Sequence, residues 1–146
     1  MATVEDLERC VSEAIQNERY RVKKLRLSHP AVKHQITDYA ASVVACGYKR
    51  SGATFSAKSE SPTCHNYADV IKHRLEDLAP IGQKRAGCKN TVGACAEPHA
   101  ADMVIKSFPG CKIDELQFSR HIDQERLRER RIAVIVKTHF MKCYEI

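Results

Sequence analysis

The densest chemistry in this chain lies in Gly93-Ala94-Cys95-Ala96-Glu97-Pro98-His99. A thiol, a carboxylate and an imidazole fall within a few residues, and Pro98 suits only the first turn of a helix, where a missing N–H costs little. The positive end of a helix dipole favours a thiolate and an acid alike. Cys95 and His99 stand at i and i+4, which can set two metal donors on one helix face. The plainer reading makes Cys95 a core thiol, Glu97 a helix-start acid, and His99 a pocket or core residue. The other cysteines, Cys10, Cys46, Cys64, Cys88, Cys111 and Cys143, are widely and irregularly spaced. Cys88 and Cys111 have no partner at zinc-ligand spacing, and Cys64-His65 is adjacent rather than spaced, which reads as structural. An odd set of thiols behind an N-terminus with acids in place of a leader, MATVEDLERC, points to reduced cysteines in a cytoplasmic setting rather than a disulfide scaffold. The sequence has no Gly-rich phosphate loop, no Ser-centred elbow and no HExxH, which disfavours kinase, esterase and metalloprotease chemistry.

The elements that must hold these residues are partly legible. Val4, Leu7, Val11, Ala14 and Ile15 recur at helical spacing after Thr3, with Asp6 placed for a capping box, so a helix is predicted over roughly 4–24. His29-Pro30 ends it. The stretch 31–46 fits a helix through Val32, Ile36, Tyr39 and Val43, while 42–48 also reads as a buried strand. A turn at Lys49-Arg50-Ser51-Gly52 and a return strand over 53–57 would complete a hairpin. The polar loop 58–63 ends in capping residues ahead of a second amphipathic helix carrying Tyr67, Val70, Ile71, Leu75 and Leu78. The helix that opens at Cys95 should run to about Ser107 and stop at Pro109-Gly110. Leu116, Phe118, Arg120 and Ile122 alternate as on one strand over 113–122, and 132–136 is a second short apolar run.

Cys95-Ala96-Glu97 at a helix start resembles the (His or Cys)-x-Glu motif of the cytidine deaminase-like superfamily. The hairpin candidate over 39–59 and the small-residue helix PHAADMVIK resemble the strands and first helix that flank that motif. The likeness covers about 39–143 and is nearest to the compact, basic deaminase domains of bacterial toxin systems. It implies a three-layer α/β sandwich with a central mixed sheet flanked by helices. It also implies Zn2+ held by Cys95, with Glu97 as the catalytic residue that carries a proton from the activated water to the base. At the first turn of a helix, residues i and i+2 both face the pocket mouth, so the thiolate can hold the metal while the carboxylate reaches the water. The family supplies two more cysteines, commonly Pro-Cys-x-x-Cys. Here Cys143 occupies one place and Ile146 the other, so the third ligand comes from elsewhere, such as His139, or the domain is abbreviated at its C-terminus and inactive.

One domain is expected from 146 residues, with 1–30 as a basic accessory helix. The charge of +6 favours polyanionic partners. Between Asn17 and His34, Arg19, Arg21, Lys23, Lys24, Arg26 and Lys33 face a single acid, Glu18. Arg19, Arg21, Lys23, Lys24 and Arg26 are the candidate nucleic-acid-binding residues, against the plainer reading of a solvated face. The expected partner is a cytosine-containing nucleoside or single-stranded nucleic acid, with no membrane, since no apolar run is long enough for a span. Two other functions fit the same sequence. One is an inactive deaminase-fold binding module, and the other a small basic nucleic-acid-binding protein, though with 6% aromatics and no Trp it is poorly supplied for base stacking.

Overall fold

The fold is organised by one strand buried on both faces. Ser42–Tyr48 (β1) is covered from Val43 through Gly47 without alternation, the mark of a strand packed between layers. This settles the stretch left open between helix and strand. The computed structural model describes residues 2–62, 65–128, 136–137 and 144. Val4–Ser28 (α1) precedes β1, and Thr54–Lys58 (β2) returns from it as the expected hairpin. Asp69–Glu76 (α2) and Ala96–Ser107 (α3) follow, then Leu116–Ser119 (β3), Ile122–Asp123 (β4), Gln124–Arg128 (α4) and Val136–Lys137 (β5).

The sheet order is β2-β1-β3-β5, with β4 also paired to β1. Every pairing among the described residues is antiparallel, which corrects the expected mixed sheet. The reason is topological. The passage from β2 through α2 and α3 brings β3 back in the direction of β2, but on the far side of β1, so the two parallel strands never touch.

Alternate β1 side chains feed two cores. Val43 and Ala45 pack with Leu7, Val11 and Ile15 of α1 and with Ile122 and Leu127. Val44 and Cys46 pack with Ile71 and Leu75 of α2, Ala100, Ala101 and Val104 of α3, and Leu116 and Phe118 of β3. Helices therefore lie on both faces of the sheet. α1 begins with the predicted capping box: Asp6 N–H donates to Thr3 Oγ1 at 3.1 Å, and Thr3 N–H to Asp6 Oδ2 at 2.9 Å. It runs to Ser28, beyond the predicted end, and stops where Pro30 disfavours helical backbone at His29. Its N-terminus sits tightly on β1, because a Cβ added at Gly47 would come within 2.8 Å of Ala2 Cβ.

The expected strand over 113–122 is broken. Ile113–Glu115 is a 3-10 turn, and between β3 and β4 the register against β1 slips by one residue. Cys46 pairs Phe118, but Val43 pairs Ile122, so one residue too many lies at Arg120-His121. This is a β-bulge. Ala45 N–H donates to Ser119 Oγ at 2.9 Å there, a side chain standing in for the missing ladder bond. The bulge turns the strand over: Leu116 and Phe118 face α3, while Ile122 faces α1. Simple alternation would have put all of them on one face.

The acid among the α1 cations is buried. Glu18, 4% exposed, takes a bidentate pair from Arg21 at 2.7 and 2.8 Å and accepts Ala40 N–H at 2.6 Å, with Lys58 Nζ at 4.0 Å. Burial pushes its carboxyl up, but the Arg21 and Ala40 hydrogen bonds and the Lys58 charge outweigh it and hold it below the ordinary glutamate value. A carboxyl held low in the folded state adds stability that is complete above the unfolded value and is lost as pH falls through the folded one. Glu18→Gln should therefore lower the urea midpoint at neutral pH and flatten its decline below about pH 4.5. Parallel acid limbs in the two proteins would show that the pair does not contribute.

Candidate functional site

The loop into α3 is built around Gly93. Its φ of +88° suits glycine, and an added Cβ would meet Ile81 Cγ2 at 2.9 Å and Pro62 Cβ at 3.0 Å. Its carbonyl accepts from Tyr67 Oη at 2.7 Å, and its N–H donates to Tyr144 Oη at 2.9 Å. Ala94 O takes the Glu60 N–H at 3.0 Å. These bonds fix the approach to Cys95, which occupies the N-cap position of α3 in extended conformation with its side chain making no capping bond. Glu97 and Pro98 then fall in the first turn, as the sequence predicts.

Cys95 lines a cleft of about 680 Å3 whose wall also includes Lys89, Asn90, Arg120, His121, Asp123 and Arg126. Glu97 lies behind this wall and is 0% exposed. His121 Nε2 stands 2.7 Å from Glu97 Oε1, with the imidazole 24% exposed. The imidazole thus separates the sealed carboxylate from the cleft as a close contact in which Nε2 is not aligned for a hydrogen bond. His121 was not found from sequence. The bulge that brings it to Glu97 leaves no trace in the alternation of Leu116, Phe118 and Ile122, and only the register shows it.

His99, on the same helix, goes elsewhere. It is 3% exposed, with Nε2 donating to Glu60 O at 3.3 Å and its ring stacked near Tyr67. Burial lowers its pKa below the ordinary histidine value. This is the pocket or core role the sequence favoured. His139 and Cys143, the other expected zinc ligands, lie outside the described residues. Among the described residues no group of three His, Cys, Asp or Glu side chains converges on a metal position. Cys95 and His121 in one cleft are nonetheless both donor types that zinc takes.

The α1 cations are largely engaged within the molecule. Arg19 Nε donates to Leu127 O, Arg21 pairs with Glu18, and Arg26 Nε meets Asp38 Oδ2 at 3.1 Å. Lys24 lies over the Tyr20 ring, while Lys23 is exposed. Two of the five candidates are therefore neutralised by carboxylates, which no charge count along the chain could reveal. Among the described residues no helix is long and apolar enough to cross a membrane. Comparison with protein-family models, curated proteins and solved structures finds no match.

Proposed function

We propose that the cleft at the start of α3 is the active site of a zinc-dependent hydrolytic deaminase acting on cytosine, within a deaminase-like sandwich. The observation that carries this reading is the sealed Glu97 carboxylate 2.7 Å from His121 on the wall of the cleft that holds Cys95. The helix bearing both motif residues lies against the sheet between β2 and β3 in chain order, with helices on each face. Tyr144 Oη accepts the Gly93 N–H, two residues before Cys95, and so helps fix the approach to the motif.

Cys95 would hold the metal together with Cys143 and His139. Zinc, when bound, makes a water molecule acidic enough to give up a proton near neutral pH. The rest falls to the chain. A base that must take that proton cannot reach it from the sealed position of Glu97 alone, so the exchange runs through His121. The imidazole would accept the proton on its cleft side and, once the ring turns to align Nε2–H with Glu97 Oε1, pass it on. The return transfer would protonate the ring nitrogen, and the water's second proton would pass to the amino group, which leaves as ammonia while the water oxygen takes its place as the carbonyl. The dry surroundings of Glu97 keep the proton from escaping to solvent.

Metal analysis tests the reading without reference to turnover. Protein purified without added zinc should carry close to one zinc per chain, and Cys95→Ser should lose it and unfold at lower temperature, because a site formed only in the native state contributes its binding free energy to folding. Equal metal content in the two proteins would remove Cys95 from the site. No zinc in either would favour the binding-module reading, for which the missing second cysteine of the motif, with Ile146 in its place, speaks.

A further inference from the structure

The cleft has a strong charge that the deamination chemistry leaves unused. Lys89 and Arg120 are exposed and Arg126 is half-buried, and all three line the same opening as Cys95 and His121. They come from different places in the chain: the loop before α3, the bulge, and α4. Their convergence is a product of the fold and not of a basic run. Asp123 is the one carboxylate among the described lining residues, and its Oδ1 already accepts Arg126 N–H at 3.0 Å. Ala94 and Cys95 also line the cleft, so the N-terminal end of the twelve-residue α3 opens into it and adds positive potential of the same sign. By contrast, Arg21 and Arg26 on α1 are turned to carboxylates.

A group of guanidinium and ammonium ions at the mouth of a reacting cleft matches the chemistry of phosphate oxygens, which guanidinium binds in bidentate fashion. We infer that Lys89, Arg120 and Arg126 form a phosphate subsite, so that the ligand of the cleft is a phosphorylated nucleoside or a phosphodiester strand rather than a free nucleoside. The choice of cytosine rests on the deaminase reading above, while the phosphate rests on these cations. A volume of about 680 Å3 is within the range that accommodates a whole small ligand.

The test is binding, measured by calorimetry for cytidine and cytidine 5′-monophosphate and by anisotropy for a labelled cytosine-containing single-stranded oligonucleotide, with inorganic phosphate as competitor. The monophosphate should bind at least about tenfold more tightly than cytidine, in line with one charge-assisted contact or more. Lys89→Ala/Arg120→Ala/Arg126→Ala should abolish that preference, and Arg120→Glu alone should reverse it. Equal affinity for cytidine and its monophosphate, unchanged in the triple variant, would overturn the subsite. Because the triple change could disturb α4, the single Lys89→Ala and Arg120→Ala variants are measured beside it, and each should lose part of the preference with an unaltered melting temperature. The oligonucleotide separates the two phosphate sources. A strand bound through all three cations should show a log–log salt slope near −2 that collapses in the triple variant, at about −0.7 per phosphate neutralised, whereas a mononucleotide site gives no tighter binding to the strand than to the monophosphate. Phosphate-dependent binding in a protein that deaminates none of these ligands would sustain the subsite and overturn the deaminase. Deamination of cytidine as efficient as that of the monophosphate would do the opposite.

Discussion

Under the proposed mechanism Glu97→Gln is expected to fold, to bind zinc as the wild type does and to lose at least about a hundredfold in the rate of cytosine deamination, since general acid–base groups are typically worth ~10²- to 10⁴-fold. The amide keeps the shape of the carboxylate beside His121 but cannot take a proton. If Glu97 served only as an acid in the first turn of α3, its loss would cost ~0.3 to 1 kcal/mol through the helix dipole and leave turnover alone. The two roles thus differ in which observable moves. The geometry extends the prediction to its neighbour. Glu97 is sealed and His121 lines the cleft, so His121→Phe should lower the rate about as much as Glu97→Gln, and the double variant should be no slower than either, as expected of residues that act as one unit. Assays on cytidine, its monophosphate and single-stranded DNA and RNA cover the substrate classes. Wild-type turnover in Glu97→Gln would end the mechanism, and wild-type turnover in His121→Phe would end the relay while leaving Glu97 in place.

What the sequence made visible and what it hid divide along physical lines. The helix at 4–28, the hairpin and the helix at 96–107 were legible because each rests on local signals: a capping box at Thr3, a turn between two short apolar strands, and Pro98 and Pro109 bracketing a small-residue run. Cys95 and Glu97 stand out as a candidate pair for the same reason, since they are two residues apart at one helix start. His121 was hidden because its position depends on a register slip against β1, more than seventy residues distant, and a periodic reading assumes no slip. Lys89, Arg120 and Arg126 were hidden because they meet only in three dimensions. On α1, by contrast, the visible run of cations includes two that pair with Glu18 and Asp38. Charge along a sequence records how many cations there are, and only folding determines which remain available to a ligand.

The α3 helix is also held from its other side, and that anchorage carries the largest expected loss of stability. Asp102 is 1% exposed, yet its carboxylate meets three donors: Ala68 N–H at 2.7 Å, His65 Nε2 at 2.9 Å and Lys106 Nζ at 2.8 Å. Ala68 is the N-cap residue of α2, and Ile71 at the third helical position has no oxygen to return to the Ala68 N–H, so α3 supplies across the packed interface the acceptor that a capping-box Glu or Gln would supply locally. Asp102→Ala removes a buried acceptor from three donors at once. Lys106, 48% exposed, can turn to water, but the Ala68 N–H and the His65 ring are held in place beside Tyr67 and His99. The cost should be about 3 kcal/mol, between that of a single charged hydrogen bond and that of a fully buried ion pair. Asp102→Asn retains an oxygen for Ala68 and should lose about half as much. Urea unfolding of the three proteins reads both values. A midpoint for Asp102→Ala equal to that of the wild type would show that α2 is positioned by the packing of Ile71 and Leu75 alone. A loss in Asp102→Asn as large as in Asp102→Ala would place the stabilisation in the charge, and so in His65 and Lys106, rather than in the borrowed cap.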